Sequence, residues 1–308
     1  MSEKTPPEFV SGFVSILGRP NGGKSTLLNA MVGMKVAIVA DKPQTTRTAV
    51  QGVVSLPGAQ IVFVDTPGIH DPDTAFNRRM LETVRAALAD RDLLIFVVDA
   101  TRPFAEADRE AVDLIKDAKT PTLLVLNKID RMKDKGPLLV LIEQYKSLAA
   151  FEEFIPISAL TGEGIDELRN AIVKRLPAGP PYYPTDQVTD QPERFLASEL
   201  IRERILRETR QEVPHAVAVL VDYWEDKPNV TRIATTVYVE REGQKGIIIG
   251  AKGSMLKKIG TMAREEIETM LGRKVFLEIH VKVQPRWRED PRFLNALDWR
   301  FMTGTEVK

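Results

Sequence analysis

The sequence predicts an α/β domain with a mostly parallel sheet and one antiparallel strand, followed by a smaller α+β domain. Three observations support this division. Short apolar runs alternate with amphipathic stretches over roughly the first 177 residues. A segment with four prolines and one glycine, 176–184, then interrupts the pattern, and it cannot continue a helix. Beyond it, helices and strands follow in a different order. We therefore expect domains over 8–180 and 193–300, with a linker over 181–192.

The strands of the first domain are predicted from five mostly apolar runs, a pattern typical of strands buried on both faces of a parallel sheet. These runs are Phe13–Leu17, Ile61–Val64, Leu93–Val98, Thr122–Leu126 and Phe154–Ile157. Helices are predicted between them over Ser25–Val32, Asn77–Ala89, Ala105–Asp117 and Gly164–Leu176. Alternation of strand and helix implies right-handed crossovers and a parallel sheet. Val50–Leu56, followed by Pro57-Gly58, indicates a hairpin and hence one antiparallel strand.

The second domain has a different predicted order. A helix over Phe195–Arg210 precedes two β-rich runs, Val217–Tyr223 and Ile233–Val239. An apolar segment ending at Gly250 then leads into a helix over Ser254–Leu271, whose apolar residues share one face. Val275–Val283 closes the domain as a strand.

Composition limits the function classes. The chain contains no cysteine, which excludes disulfides and thiolate metal sites and fits a reducing cytosol. No run of about 18 apolar residues predicts a membrane helix, and the N-terminus lacks the features of a secretory signal. The net charge of +0 hides an asymmetry, because 241–288 contains eleven Lys or Arg and five Asp or Glu. That segment is suited to a polyanion.

Residues 18–25 fit the phosphate-binding pattern G-x-x-x-x-G-K-[ST]. The motif follows an apolar strand and precedes a helix, which is the context it requires. Its glycines let backbone N–H groups and the helix N-terminus face a triphosphate. We expect Lys24 to reach the β- and γ-phosphates and Ser25 to bind Mg²⁺ through its hydroxyl.

A second phosphate motif, D-x-x-G, covers 65–68 at the end of the next parallel strand. Asp65 is expected to hold the magnesium and the Gly68 amide to contact the γ-phosphate. Between the two motifs lies a polar loop, 41–47, that can supply a second hydroxyl to the metal; we favour Thr46 over Thr45. The predicted metal ligands are therefore Ser25, Thr46 and Asp65, and the candidate catalytic residues are Lys24, Thr46 and Gly68.

The base of the nucleotide is indicated by N-K-x-D at 127–130. A carboxylate at Asp130 can accept two hydrogen bonds from guanine, which adenine cannot donate in the same arrangement. Asn127 is expected to brace neighbouring loops, the Lys128 stem to cover the base, and the Ala159 amide of S-A-x to donate to guanine O6. The full set of predicted nucleotide-binding residues is Gly18, Asn21, Gly23, Lys24, Ser25, Thr26, Asp65, Gly68, Asn127, Lys128, Asp130, Ser158 and Ala159.

These motifs, in this order, resemble the translation-factor-related small GTPases over about residues 10–177. The resemblance implies GTP hydrolysis. In Ras-like enzymes a glutamine follows D-x-x-G and orients the attacking water. This chain has Ile69 at that position, and its side chain cannot bind water. We therefore expect slow intrinsic turnover that rises with potassium or a bound partner. Asn21 resembles a potassium-coordinating residue of related GTPases, or it serves only to stabilise the turn. His70 is more typical of a structural or exposed histidine than of a base.

The basic segment contains a G-x-x-G tetrapeptide, Gly250-Ala251-Lys252-Gly253, between an apolar segment and a helix. The order helix, strand, strand, helix, G-x-x-G, helix, strand resembles a type II KH domain, whose glycines let unpaired nucleotides approach the backbone. Lys252, Lys257 and Lys258 are predicted to neutralise phosphates. The three isoleucines 247–249 are expected to divide between core and groove wall, without a residue-by-residue assignment.

Trp287, between Arg286 and Arg288, is predicted either to stack on RNA bases or to cap the core, and we include it among the RNA-binding candidates.

A GTPase domain followed by one KH domain resembles a family of bacterial ribosome-assembly GTPases. The family carries valine where this chain has Gly22, a difference that would loosen the phosphate loop. The resemblance implies binding of 16S ribosomal RNA near its 3′ end, a role in 30S subunit assembly, and a monomeric, cytoplasmic protein with weak peripheral membrane association.

Two other functions remain open at this point. The first is a membrane-associated signalling GTPase whose basic domain binds anionic lipid. The second is an RNA-binding scaffold with a vestigial nucleotide site. The G-x-x-G loop favours an RNA binder over the former, and the intact Lys24, Ser25, Asp65 and Asp130 argue against the latter.

Overall fold

The apolar runs of the first domain form a six-stranded sheet. The computed structural model describes residues 9–42, 44–68, 74–116, 118–209 and 213–299. The strands are β1 (Val10–Leu17), β2 (Val50–Leu56), β3 (Ala59–Asp65), β4 (Leu93–Asp99), β5 (Thr122–Asn127) and β6 (Glu153–Pro156). Their order in the sheet is β2-β3-β1-β4-β5-β6, and β2 pairs antiparallel with β3 while the other pairings are parallel.

Helices cover both faces of this sheet because alternate strand residues face opposite ways. These helices are α1 (Lys24–Val32), α2 (Ala75–Ala86), α3 (Glu106–Asp113), α4 (Gly136–Lys146) and α5 (Ile165–Val173). Ile95 and Val97 of β4 lie in one core cluster with residues of α1 and α5, whereas Leu94 and Phe96 lie in another with residues of α2, α3 and α4. The antiparallel strand predicted from the hairpin is confirmed, whereas α4 was not predicted.

The predicted linker is hydrogen-bonded to the first sheet. The backbone N–H groups of Tyr182 and Tyr183 donate to Oε1 of the buried Gln60 at 2.7 and 3.0 Å. Further on, Val53 N donates to Val188 O at 2.9 Å. The prolines therefore prevent a helix, but the segment follows the sheet as far as about residue 190.

The described residues of the second unit are 38–42, 44–45, 74–78, 191–209 and 213–299. Its elements are α6 (Glu193–Glu208), α7 (Val213–Ala216), β7 (Ala218–Lys227), β8 (Val230–Val239), α8 (Glu242–Ile249), α9 (Ser254–Leu271), β9 (Val275–Val283) and α10 (Pro291–Ala296). The three strands form a sheet in the order β7-β8-β9, with β7 and β8 antiparallel and β8 and β9 parallel. The predicted order around G-x-x-G is confirmed, and α7 and α10 are additional.

One core cluster joins α6, α8 and α9 to the sheet of this unit. Ile248 is fully buried in it, whereas Ile247 is 44% exposed, which separates two of the three isoleucines that the sequence left unassigned. Within the same unit, α6 holds the backbone at Val39, whose N–H donates to Oε1 of the buried Glu203 at 3.0 Å. Within the described ranges, no helix is both long and apolar enough to cross a bilayer.

Candidate functional site

The phosphate loop follows β1 and leads into α1. Gly18 and Gly23 have φ of 138° and 98°, a region that strongly favours glycine. A Cβ at Gly18 would lie 2.2 Å from Val97 O, and one at Gly23 would lie 2.2 Å from Asn127 Nδ2. Space is also limited at Gly22, where a Cβ would lie 3.2 Å from Val97 O. The loop therefore requires glycine at 18 and 23, because β4 and the base loop lie directly behind these two residues.

Lys24 lies inside this loop with 6% of its surface exposed. Its Nζ donates to the carbonyls of Gly18 and Arg19 at 3.0 and 3.1 Å. Burial lowers the pKa of Lys24 to about 8, against the opposing effect of the Asp65 carboxylate. The ammonium is thus held where phosphate oxygens can replace the two carbonyls as acceptors.

Asp65 ends β3 and is fully buried. Its Oδ2 accepts from Ser25 Oγ at 2.6 Å, and Thr46 Oγ1 lies 2.8 Å from Ser25 Oγ. Burial raises the pKa of Asp65 to about 6, although Lys24 and the two hydroxyls favour the ionised form. In the described part of the chain, Asp65 Oδ1 is buried without a hydrogen-bond partner.

The structure distinguishes between the two candidate threonines of the 41–47 loop. Thr46 faces Ser25 and Asp65, whereas the Thr45 hydroxyl donates to the carbonyls of Ala40 and Lys42. Two hydroxyls and one carboxylate therefore converge. This is a hard oxygen set that suits Mg²⁺, which takes few protein ligands and completes its octahedron with phosphate oxygens and water.

Gly68 lies against the phosphate loop, since a Cβ there would lie 2.9 Å from Pro20 Cγ. The adjacent Thr66 is anchored by donating its hydroxyl to Ile16 O at 2.9 Å. Ile69 and His70, the residues that bear on water activation, lie outside the described residues. The predicted Thr26 is half-buried in the first turn of α1.

The base end is organised around Asn127, which is 2% exposed. Its Nδ2 donates to Gly22 O at 2.9 Å, and its Oδ1 accepts from the backbone N–H groups of Lys128 and Ala159 at 2.8 and 3.0 Å. One side chain thus ties the phosphate loop to both base loops, as predicted. The Ala159 amide is engaged here, so donation to guanine O6 requires this bond to be shared or exchanged.

Asp130 is exposed, and its Oδ1 accepts from Oγ of the buried Ser158 at 2.6 Å. Ser158 therefore fixes the orientation of the carboxylate that is expected to read guanine.

Asn21 has a φ of 62°, a left-handed conformation that asparagine tolerates well, and its carbonyl accepts from Lys128 Nζ at 2.6 Å. This geometry fits the turn-stabilising interpretation of Asn21.

Sequence reasoning missed Asp99, whose Oδ2 accepts from Lys128 Nζ at 2.7 Å. It also missed the ion pair between Arg19 and Asp108, at 2.8 Å. A signal for Asp99 was present, because it ends an apolar parallel strand as Asp65 and Asn127 do. The carboxyl ends of such strands form the usual ligand site of an α/β sheet.

The G-x-x-G loop joins α8 to α9. Gly250 and Gly253 have φ of 70° and 80°, and a Cβ at Gly250 would lie 2.7 Å from Met255 Cβ. Ala251, Lys252 and Lys257 are exposed, whereas Lys258 pairs with Glu208 at 2.5 Å. Beside the loop is an open groove of about 410 Å³, lined by Gly253, Leu256, Lys257, Gly260, Thr261, Arg264, Leu277 and Ile279.

Trp287 requires a correction. It is fully buried, its Nε1 donates to Ala216 O at 2.9 Å, and its ring packs on Phe293 at 5.5 Å between centroids. A buried indole has no face open to a base, so the structure selects the core-capping alternative over RNA stacking.

Comparison with known proteins agrees with both parts of the chain. A family described as "50S ribosome-binding GTPase" matches residues 13–128, and the KH domain family matches 212–288. GTPase Era of Geobacter metallireducens is 51% identical over 94% of this chain and 98% of its own length. GTPase Era of Syntrophus aciditrophicus is 50% identical over 94% and 95%.

Two solved structures are similar over the same extent. A variant of Aquifex aeolicus Era bound to GDP·AlF4⁻ has a TM-score of 0.91 and 42% identity, covering 94% of this chain and 99% of that one. Era in complex with MgGDPNP and nucleotides 1506–1542 of 16S ribosomal RNA gives the same TM-score, identity and coverage.

Proposed function

Because the chain belongs to the Era family of GTPases, we propose that it is a GTP-dependent switch acting in cytoplasmic assembly of the 30S ribosomal subunit. In this role it binds single-stranded 16S ribosomal RNA near the 3′ end. GTP hydrolysis is the activity of the family. The RNA target is inferred from the relative that holds nucleotides 1506–1542 together with MgGDPNP.

The observation that carries the RNA assignment is the exposed G-x-x-G loop beside an open basic groove. Gly250 has no space for a side chain, because a Cβ would lie 2.9 Å from Met255 N. Lys252 and Lys257 are exposed where a nucleic-acid backbone passes such a loop, and KH domains clamp about four nucleotides there. Lys258 contributes less charge because it is paired with Glu208.

The nucleotide assignment follows from the converging groups described above. Lys24 holds the phosphates, Ser25, Thr46 and Asp65 hold Mg²⁺, and Gly68 contacts the γ-phosphate. A bound Mg²⁺ supplies charge stabilisation to the transferring phosphoryl group. Asp130, oriented by Ser158, selects guanine. The protein then releases its switch contacts when the γ-phosphate leaves.

Turnover is proposed to be slow and to rise with K⁺ or with bound RNA, because Ile69 cannot orient water. Phosphate release should be faster in KCl than in NaCl, or faster with the 1506–1542 RNA than without it. Equal rates in all four conditions would contradict this mechanism. The protein is proposed to act as a monomer, and its association with membranes to be peripheral and weak.

The experiment that tests the proposed function combines Gly250→Asp with Gly253→Asp. Carboxylates beside the RNA backbone should reduce RNA affinity by about 100-fold or more, while GTP hydrolysis without RNA stays unchanged. Unchanged RNA affinity would refute the RNA assignment. Vesicles containing anionic lipid provide the other arm, since loss of lipid binding with retained RNA binding would favour a membrane-directed function instead.

A further inference from the structure

Asp99 lies at the carboxyl end of β4, directly opposite Asn127 in the pairing of β4 with β5. Its side chain is 11% exposed. The backbone fixes this position, because Ala100 N donates to Asn127 O at 2.9 Å. A carboxylate is therefore placed beside the first residue of the guanine-recognition motif, although that motif does not include it.

The Asp99 carboxylate is fully engaged. Its Oδ1 accepts from Thr101 N and Thr101 Oγ1 at 3.1 and 2.6 Å, and its Oδ2 accepts from Lys128 Nζ at 2.7 Å. Burial alone would raise the pKa of Asp99, but the hydrogen bonds from Lys128 and Thr101 outweigh it, so the pKa lies below its ordinary value. Asp99 is thus ionised and oriented at neutral pH.

Lys128 connects this carboxylate to the phosphate loop. The same Nζ donates to Asn21 O at 2.6 Å, and the Lys128 side chain is only 17% exposed. Its Cε would lie 3.9 Å from a Cβ at Gly23, so the stem extends along the loop that receives the phosphates. Asn21 O is a neutral acceptor, whereas Asp99 provides the opposite charge that a largely desolvated ammonium needs.

We propose that Asp99 is a positioning residue of the nucleotide site that acts through Lys128. It holds the lysine stem extended over the guanine position and keeps the base loop attached to the phosphate loop. Asp99 does not contact the nucleotide. This inference rests on the proposed assignment of 127–130 as the guanine site.

Asp99→Asn keeps an acceptor for Thr101 and presents an uncharged amide to Lys128. It also removes the ion pair of Asp99 with the exposed Arg102, at 3.6 Å, so the double-mutant cycle with Lys128 is needed to assign the effect. We expect dissociation of a fluorescent GDP analogue to accelerate about tenfold. The KM for GTP should rise similarly while kcat at saturating GTP stays within twofold, since uniform binding is lost. Asp99→Glu, which keeps the charge, should recover part of the affinity.

The matched control is Asp166→Asn, which removes a carboxylate that is 81% exposed and paired with Arg169; it should leave GDP dissociation unchanged. Lys128→Ala and the double variant Asp99→Asn/Lys128→Ala complete the cycle. If Asp99 acts through Lys128, the double variant dissociates GDP no faster than Lys128→Ala alone. Additive effects, or wild-type dissociation in Asp99→Asn, would overturn the proposal.

The same four proteins distinguish a failure of the guanine-site assignment from a failure of the role of Asp99. If Lys128→Ala leaves both GDP dissociation and the KM for GTP unchanged, the assignment of the guanine site fails, and the role of Asp99 fails with it. If Lys128→Ala accelerates dissociation but Asp99→Asn does not, only the role of Asp99 fails. A lower melting temperature in Asp99→Asn with unchanged GDP dissociation would assign Asp99 to fold stability alone.

Discussion

The nucleotide site and the G-x-x-G loop both offer lysines to phosphates, but they differ in burial. Lys24 is 6% exposed and donates to two backbone carbonyls. Lys252 is exposed on the G-x-x-G loop, and Lys257 is exposed on the open groove beside it. A buried charge is preorganised and weakly screened, whereas an exposed charge is mobile and screened by salt.

This difference predicts two kinds of recognition. In the nucleotide site, few groups should each contribute much, because each is fixed by neighbours such as Asn127 and Ser158. On the G-x-x-G surface, many groups should each contribute little, and their sum should depend strongly on salt. Glycines matter in both places, since Gly18, Gly23 and Gly250 all lack space for a side chain.

The largest effect is expected for Lys24→Ala. Removing the buried ammonium takes away the main positive charge facing the β- and γ-phosphates, so kcat for GTP hydrolysis should fall by at least about 100-fold. The measurement is phosphate release at saturating GTP. Lys146→Ala, at an exposed lysine paired with Glu143, serves as the control. Near-normal turnover in Lys24→Ala would contradict the expectation that each buried group of the nucleotide site contributes much.

Asp130→Asn should change which base is bound. An asparagine amide loses the paired acceptors for guanine but can donate to the 2-oxo group of xanthine, so GTP affinity should fall by about 10- to 100-fold and preference should move to xanthosine triphosphate. Competition binding with both nucleotides measures it. A variant that still preferred GTP would refute the assignment of Asp130.

Trp287→Phe sharpens the comparison from inside the second unit. The change removes the hydrogen bond to Ala216 O and part of a fully buried ring, so stability should fall by about 1–3 kcal/mol. Urea unfolding followed by circular dichroism measures the loss. RNA affinity of the folded variant should stay within twofold, and a larger specific loss would restore the stacking role that the structure excludes.

The smallest effect is expected for Lys252→Ala. Loss of one exposed phosphate contact should weaken RNA binding only a few-fold and reduce the slope of log affinity against log salt by about 0.7. Titrations of the 1506–1542 RNA at several KCl concentrations measure the slope. Lys227→Ala, at a lysine paired with Glu225, should leave it unchanged. A loss of RNA affinity that leaves the salt slope unchanged would mean that Lys252 does not act by neutralising a phosphate.

The sequence predicted the strands and the nucleotide motifs because both are local: a mostly apolar run of four to six residues predicts a buried strand, and each motif follows one. It missed α4, where Leu138–Ile142 is apolar without helical period and Leu139 and Val140 are 70% and 64% exposed. The burial of Trp287 and the attachment of the linker to the sheet also could not be predicted, because their partners are distant in the sequence. Ala216 lies 71 residues from its partner, and Gln60 lies more than 120 residues from Tyr182 and Tyr183.

The most direct test of the central claim is the affinity of the protein for the 1506–1542 RNA, measured with saturating MgGDPNP and with saturating MgGDP. A nucleotide-dependent switch requires the two affinities to differ, and we expect tighter binding with MgGDPNP by about tenfold or more, a coupling free energy of about 1.4 kcal/mol. Equal affinities in the two states would contradict the account, since the buried nucleotide site would then not control the exposed RNA surface.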